Sequence, residues 1–319
     1  MDLTSLTVDT APAAWTGRND GDGPAHRRWW QAVATPATAV PDSSADSAGP
    51  AALLGFCSDE GVRRNKGRVG ASAAPAAIRA ALGSLAFHGV RAATDLGDVV
   101  VAGESLEDGQ ARAGRVLTTL LDDGQLTFVL GGGHETAFAS YLGVAGTAAV
   151  ANGARLGVLN LDAHFDLRDA PVPSSGTPFL QMAHAETAAG RKLNYAVVGI
   201  SEPNNTRALF DTAHDLDVKY LLDEDCSAER TAAFVSAFLE TVDIVYLTID
   251  LDVLPAAAAP GVSAPAAYGV PLPVIASVCR QVAASGKLFH FDVAELNPDF
   301  DIDNRTAKVA ARLIDTLLR

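Results

Sequence analysis

The chain has 319 residues, 48% of them apolar and only 6% aromatic, and 24 Lys and Arg oppose 38 Asp and Glu for a net charge of −14. So acidic a balance excludes the basic surface that a nucleic-acid partner requires. The length allows two domains, but a single large α/β domain is common at this size, and abundant Ala, Val and Leu fit helices packed on a parallel sheet better than a β-sandwich.

Residues 1–50 are rich in Pro, Ala, Ser, Asp and Gly and read as an irregular arm lying on the domain, with Trp15, Trp29 and Trp30 as its anchors. Residues 51–319 form the second unit, in which apolar runs alternate with amphipathic stretches. Strands are predicted at 51–56, 98–103, 126–132, 156–162, 195–200, 218–222, 244–252 and 289–297. Helices are predicted at 75–82, 108–121, directly after His134, at 179–189 and at 304–318. Such alternation means βαβ units and a parallel sheet.

Cys57, Cys226 and Cys279 stand far apart without a Cys-x-x-Cys pair, so neither a disulfide framework nor a zinc knuckle is indicated. All three are expected in the core of a protein from a reducing compartment. The N-terminus lacks the basic region and apolar run of a signal peptide, and the longest weakly polar stretch, 137–151, is too short to cross a membrane. A cytoplasmic protein with no membrane partner is expected. Oligomeric state is left open, a homo-oligomer included.

The chemistry is concentrated in Leu159-Asn160-Leu161-Asp162-Ala163-His164-Phe165-Asp166. An apolar strand gives way here to three metal-type ligands at alternate positions, which places Asp162, His164 and Asp166 on one face. Two carboxylates and an imidazole aimed at one point repel and desolvate one another unless a cation sits between them. The alternative is a helix-capping Asp beside a satisfied loop His.

Two further strands end in the same way. Gly131-Gly132-Gly133-His134-Glu135 follows one of them and allows a tight turn, while Asp250 and Asp252 follow another, two apart and hence on one face. The carboxyl ends of parallel strands share one edge, where ligands bind, so three strands deliver six candidate ligands to one crevice. Carboxylates can bridge, and two ions about 3.5 Å apart are expected, lowering the pKa of a shared water until it is a nucleophile near neutral pH. The oxygen-rich set with imidazole suits Mn²⁺ better than a thiolate metal. The reaction class is hydrolysis of a small molecule. The remaining histidines, His26, His88, His184, His214 and His290, have no ligand spacing around them and read as structural.

The blocks GGGHE, DAHFD, TIDLD and Glu295-Leu296-Asn297-Pro298 resemble the four signature blocks of the ureohydrolase superfamily, which holds arginases, agmatinases and formimidoylglutamases. That resemblance covers about residues 51–319. It implies a three-layer α/β/α sandwich around an eight-stranded, mainly parallel sheet, with two Mn²⁺ per subunit. It places His134, Asp162, Asp166 and Asp250 on one ion, and Asp162, His164, Asp250 and Asp252 on the other, with Asp162 and Asp250 bridging. Glu295 matches the residue that receives the substrate's planar cation, and Asp166 is the candidate proton relay.

Departures from the arginase pattern point to a branch. Ser175 stands where arginases carry a shuttle histidine, and Arg168 stands where they carry an Asn on the substrate carboxylate. An Arg there favours an anionic tail, through the bidentate fork that guanidinium makes with carboxylate. With SSGTPF, GVSAPAAYGV and Asn65-Lys66-Gly67-Arg68, the chain resembles the formimidoylglutamase branch. This implies hydrolysis of N-formimidoyl-L-glutamate to glutamate and formamide in histidine breakdown, with Arg64, Asn65, Arg68, Arg168 and Ser175 as candidate substrate contacts. The alternatives are a guanidino-acid hydrolase that releases urea and a non-catalytic binding protein of the same fold.

Overall fold

The computed structural model of the chain describes residues 3, 6–38, 49–89, 91 and 93–319. Parts of the expected arm, 1–2, 4–5 and 39–48, lie outside the described residues. Among the described residues, nine parallel strands form one sheet: β1 (Val33–Ala34), β2 (Ala51–Cys57), β3 (Ala93–Val100), β4 (Leu126–Leu130), β5 (Leu156–Leu161), β6 (Asn194–Ile200), β7 (Lys219–Leu222), β8 (Ile244–Asp250) and β9 (Leu288–Ala294). Their order is β1-β3-β2-β4-β9-β8-β5-β6-β7.

Neighbouring residues of a strand feed two different cores. Leu53, Phe128, Leu159, Leu247 and Phe291 pack with helices Ala74–Gly83, Ala228–Thr241, Leu272–Ala284 and Arg305–Leu317 on one face. Leu54, Val129, Val158 and Tyr246 pack with Leu106–Asp122, Thr136–Ala145, Pro178–Ala188 and Arg207–Asp215 on the other. Covering both faces explains why β4 and β5 are buried at every position and read as continuous apolar runs. The result is a three-layer α/β/α sandwich. In the last helix, Val309, Ala310, Leu313, Ile314 and Leu317 recur at helical spacing and face the core.

Three expectations need correction. The sheet has nine strands instead of eight, because the arm supplies β1, which pairs with β3 through Val33↔Ala93 and Ala34↔Thr94. Strand β3 begins at Ala93, five residues before the predicted start. Its early half holds Asp95, fully buried, which reads as a loop residue until its partners are seen: Arg79 Nε at 2.8 Å and Trp15 Nε1 at 2.8 Å. Helices Arg207–Asp215, Ala228–Thr241 and Leu272–Ala284 lie between predicted strands where no helix was assigned.

The tryptophans differ in what they hold. Trp29 is buried and donates from Nε1 to Asp315 Oδ1 at 2.9 Å, tying the arm to the last helix. Trp15 ties it to β3, whereas Trp30 donates to Arg18 O at 3.0 Å, within the arm itself. Cys226 and Cys279 are buried as expected, Cys57 is half-buried, and all three are free thiols. Among the described residues, no helix is long and apolar enough to cross a membrane.

Candidate metal centre

The strand order sets β4, β9, β8 and β5 side by side in the middle of the sheet, although they are fourth, ninth, eighth and fifth in the chain. Their carboxyl ends stand level, with Leu130 and Ile249 both opposite Val293 and Leu161 opposite Ile249. Every loop leaving these four strands therefore starts at one rim.

After β4 the three glycines let the chain turn under its neighbours. A Cβ on Gly132 would lie 1.7 Å from Ser58 O, so no other residue fits there. Gly133 N donates to Ser58 O at 3.0 Å and Gly132 O accepts from Glu295 N at 2.8 Å, and this grip delivers His134, 1% exposed, to the rim. After β5, Asp162 Oδ1 accepts from His164 N at 2.6 Å, folding a tight turn. Ala163 and Phe165 are buried, while Asp162, His164 and Asp166, which flank them, supply the polar side chains of this turn. After β8, Asp250 Oδ1 accepts from Asp252 N at 2.8 Å and sets the same kind of turn. Asp166 and Glu295 both hold left-handed backbone, φ 48° and 69°. That is costly for non-glycine residues, and such strain tends to collect at functional sites.

Six side chains converge in two groups, His134, Asp162, Asp166 and Asp250 in one, and Asp162, His164 and Asp252 in the other. His134 Nδ1 lies 3.0 Å from Asp166 Oδ2 and 3.2 Å from both Asp162 Oδ2 and Asp250 Oδ2. His164 Nδ1 lies 3.1 Å from Asp252 Oδ2 and 3.5 Å from Asp162 Oδ1. Asp162 thus divides its two oxygens between the groups. Asp250 gathers with the first group through Oδ2, while its Oδ1 accepts from Asp252 N as Asp162 Oδ1 does from His164 N.

The electrostatics ask for a cation. Burial, with the charges of Asp252 and Asp162, holds the Asp250 carboxyl well above the usual range. Burial and Asp162 also raise Asp166. Burial alone would depress His134 and His164, yet the surrounding carboxylates reverse this and hold both imidazoles protonated well above their ordinary value. Three buried carboxylates, the half-buried Asp166 and two imidazoles, with donor atoms within 4.8 Å of one another in each group, fit hard divalent ions taking oxygen and nitrogen ligands. Asp162 is steadied from behind by Asn160 Nδ2 at 2.9 Å, and Asn160 also donates to Tyr195 OH at 3.0 Å. An Asn inside an apolar strand is the signal in the sequence for this support.

Glu295 stands beside this cluster, 3% exposed. Its carboxylate accepts from His134 N at 2.8 Å and from Ser263 Oγ at 2.6 Å. Burial, against the Ser263 hydrogen bond and with help from Glu135, pushes its pKa up to about 7. Asn297 donates to Arg68 O and Val69 O, both at 3.0 Å, and is the structural turn expected of it.

The candidate substrate contacts separate. Arg64 spends all its N–H donors on Glu60, Glu107, Glu104 O and Pro173 O, and so braces these segments in this structure. Arg68 donates to Ser263 O and Val262 O and lies 3.9 Å over the Phe300 ring, bracing the loop that carries Ser263. Asn65 Nδ2 and Ser175 Oγ meet at 3.2 Å. The exposed Arg168 has neither an ion pair nor a side-chain hydrogen bond among the described residues, and its stem crosses Gly176, where a Cβ would lie 2.7 Å from Arg168 Cδ. Together with Arg64, Asn65 and Ser174 it lines a 490 Å³ cavity. His184 is exposed on its helix and is not among the gathered groups.

A parallel sheet with an acidic and imidazole cluster on its carboxyl rim is the arrangement of a metal-dependent hydrolase. The chain belongs to the arginase family, whose model matches residues 50–319. It is 57% identical over 310 residues to the formimidoylglutamase of Rhodococcus opacus (strain B4), covering 96% of this chain and 95% of that one. Among solved structures it resembles the formimidoylglutamase of Bacillus subtilis subsp. subtilis str. 168, with TM-score 0.75, 22% identity and coverage of 90% and 89% of the two chains. It also resembles the Trypanosoma cruzi formiminoglutamase solved with Mn²⁺, with TM-score 0.77, 24% identity and coverage of 87% and 95%. At these identities the two structures speak for the fold.

Proposed function

We propose that the chain hydrolyses N-formimidoyl-L-glutamate to L-glutamate and formamide, a step of histidine breakdown, with two Mn²⁺ in the rim cluster. The observation that carries this reading is the six-donor cluster standing two residues along the chain from Arg168, a guanidinium without an acidic partner among the described residues. The curated relative at 57% identity, named formimidoylglutamase, supports the same substrate. Residues 51–319 are the proposed catalytic unit, with 1–50 as its arm, and three free cysteines favour the cytoplasm.

His134, Asp162, Asp166 and Asp250 would hold one ion, and Asp162, His164 and Asp252, with Asp250 at its margin, the other. Bound there, the pair would supply a water acidic enough to attack at neutral pH. The rest falls to the chain. Glu295, already holding two hydrogen-bond donors, receives the cationic formimidoyl head, whose positive charge favours the ionised carboxylate. Arg168 receives a carboxylate of the glutamyl part, and Asn65 with Ser175 shapes the wall between. The water oxygen adds to the formimidoyl carbon, and the bond from that carbon to the glutamate nitrogen breaks. Asp166 takes a proton from that water and hands it to the departing nitrogen, the second water proton follows as the carbonyl forms so that glutamate leaves as an ammonium, and formamide keeps the other nitrogen.

The test is turnover by purified, Mn²⁺-loaded protein of N-formimidoyl-L-glutamate, agmatine, guanidinobutyrate and arginine side by side. Formamide and glutamate from the first are expected. Urea from any of the others at a higher kcat/KM would overturn the assignment.

A further inference from the structure

The imidazole of His134 turns only Nδ1 to the carboxylate cluster. Its Nε2 lies 3.0 Å from Thr248 Oγ1 on β8, and that hydroxyl lies 2.6 Å from Asp292 Oδ1 on β9. The second oxygen of Asp292 lies 2.6 Å from Tyr246 OH. Register explains the alignment, because Thr248 and Asp292 are direct partners across the two strands, and Tyr246 is two residues before Thr248 on the same face. Thr248, Asp292 and Tyr246 are fully buried.

Burying a carboxylate without a cation beside it is expensive, and an apolar residue would pack on this strand at less cost. What the carboxylate achieves is a direction for every proton in the chain. Burial raises the Asp292 carboxyl, but the hydrogen bonds from Thr248 and Tyr246, both at 2.6 Å, favour its ionised form, and an ionised carboxylate only accepts, so both hydroxyls donate to it. Thr248 has one proton, and once it is committed to Asp292 the hydroxyl can offer His134 only a lone pair. His134 Nε2 must then carry the hydrogen. In the neutral ring Nδ1 is left bare, pointing at Asp162, Asp166 and Asp250.

We infer that Asp292 is a positioning residue that acts through Thr248 to hold His134 in the Nδ1-ligating tautomer, and so sets the affinity of the ion on the His134 side while leaving the ion on the His164 side alone. It touches neither ion nor substrate. The inference rests on the metal reading above, and it is specific to one of the two groups because no such chain ends on His164 among the described contacts. Asp292→Asn is the informative change. The new amide N–H would donate to Thr248, turning the hydroxyl toward Nε2 as a donor and favouring the tautomer that carries its proton on Nδ1.

The experiment is titration of metal-free protein with Mn²⁺, following free Mn²⁺ by its magnetic resonance signal, for wild type, Asp292→Asn, Thr248→Val and Thr248→Ser. Wild type should bind two ions. In Asp292→Asn and Thr248→Val one binding step should weaken about 10- to 100-fold, the usual cost of losing an outer partner of a metal-bound histidine, and the other should stay within about twofold. Thr248→Ser, which keeps the hydroxyl, should restore both steps. Adding Asp292→Asn to His134→Asn should weaken binding no further than His134→Asn alone, because the two changes act on one ligand. Equal weakening of both steps, no weakening in Thr248→Val, or full additivity with His134→Asn would overturn the inference. Should Asp292→Asn fail to fold, Thr248→Val and its Ser counterpart decide alone. If wild type bound no Mn²⁺, the metal reading itself would fail, whereas two ions in wild type with unaltered variants would sink only the role of Asp292.

Discussion

Replacing Arg168 by Ala tests whether this guanidinium selects the substrate by its carboxylate. A buried charge pair would be worth about 2 to 5 kcal/mol on truncation, but Arg168 is exposed, and exposed pairs are typically worth at most about 1 kcal/mol. The expected loss is therefore roughly fivefold in kcat/KM, since about 1.4 kcal/mol corresponds to a factor of ten. It should shrink further as salt rises, because the screening length is about 8 Å at physiological ionic strength. Arg168→Lys should recover part of the loss, as an ammonium supplies the charge without the planar fork. The assay compares kcat/KM for N-formimidoyl-L-glutamate with that for an analogue in which one carboxylate is an amide, in wild type and both variants, with Mn²⁺ content measured in parallel. Only the natural substrate should suffer and metal content should not move. An equal fall for both substrates would refute the contact and leave Arg168 as a support for the Gly176 loop.

Asp162→Asn should remove both ions, since its two oxygens face the two groups, whereas Asp252→Asn should leave one ion bound; elemental analysis after dialysis distinguishes them. Mn²⁺ affinity should fall as pH is lowered, because His134 and His164, held protonated above their ordinary range, must give up protons to bind; calorimetry in buffers of different ionisation enthalpy should register proton release. Glu295, with its pKa pushed up to about 7, must be ionised to hold a cationic head, so kcat/KM should drop below an acid limb that bound cations draw to or below that value, and Glu295→Gln should erase the limb along with most activity. Trp29→Ala, emptying a fully packed site against Asp315, should cost about 3 to 5 kcal/mol in denaturant unfolding without altering Mn²⁺ stoichiometry.

Apolar runs were enough to locate the central strands and the class of fold, because a strand covered on both faces is apolar almost throughout, whereas β3, with Asp95 and Asp98 in it, was legible only from residue 98 onward. The ligand spacing in DAHFD and TIDLD was legible in the sequence, but the extended geometry expected for it was not what brings the side chains together: each segment leaves its strand in a tight turn held by the first Asp, Asp162 on His164 N and Asp250 on Asp252 N. What those residues meet is not local. Strands fourth, fifth, eighth and ninth in the chain become neighbours in the order β4-β9-β8-β5 only through the way the crossover helices pack, and no residue within a strand encodes its neighbour. Strand β1 has two residues in a Pro- and Ala-rich arm, too few to show any period, and exists because β3 has a free edge beside it. Asp95 and Asp292 look out of place in apolar strands until Arg79 and Trp15, or Thr248 and Tyr246, arrive from elsewhere. The arginines make the same point most sharply. Arg64 and Arg168 are equivalent as letters, each close to a signature block, and which of them has its guanidinium tied up was decided by where Glu107, 43 residues from Arg64, came to rest.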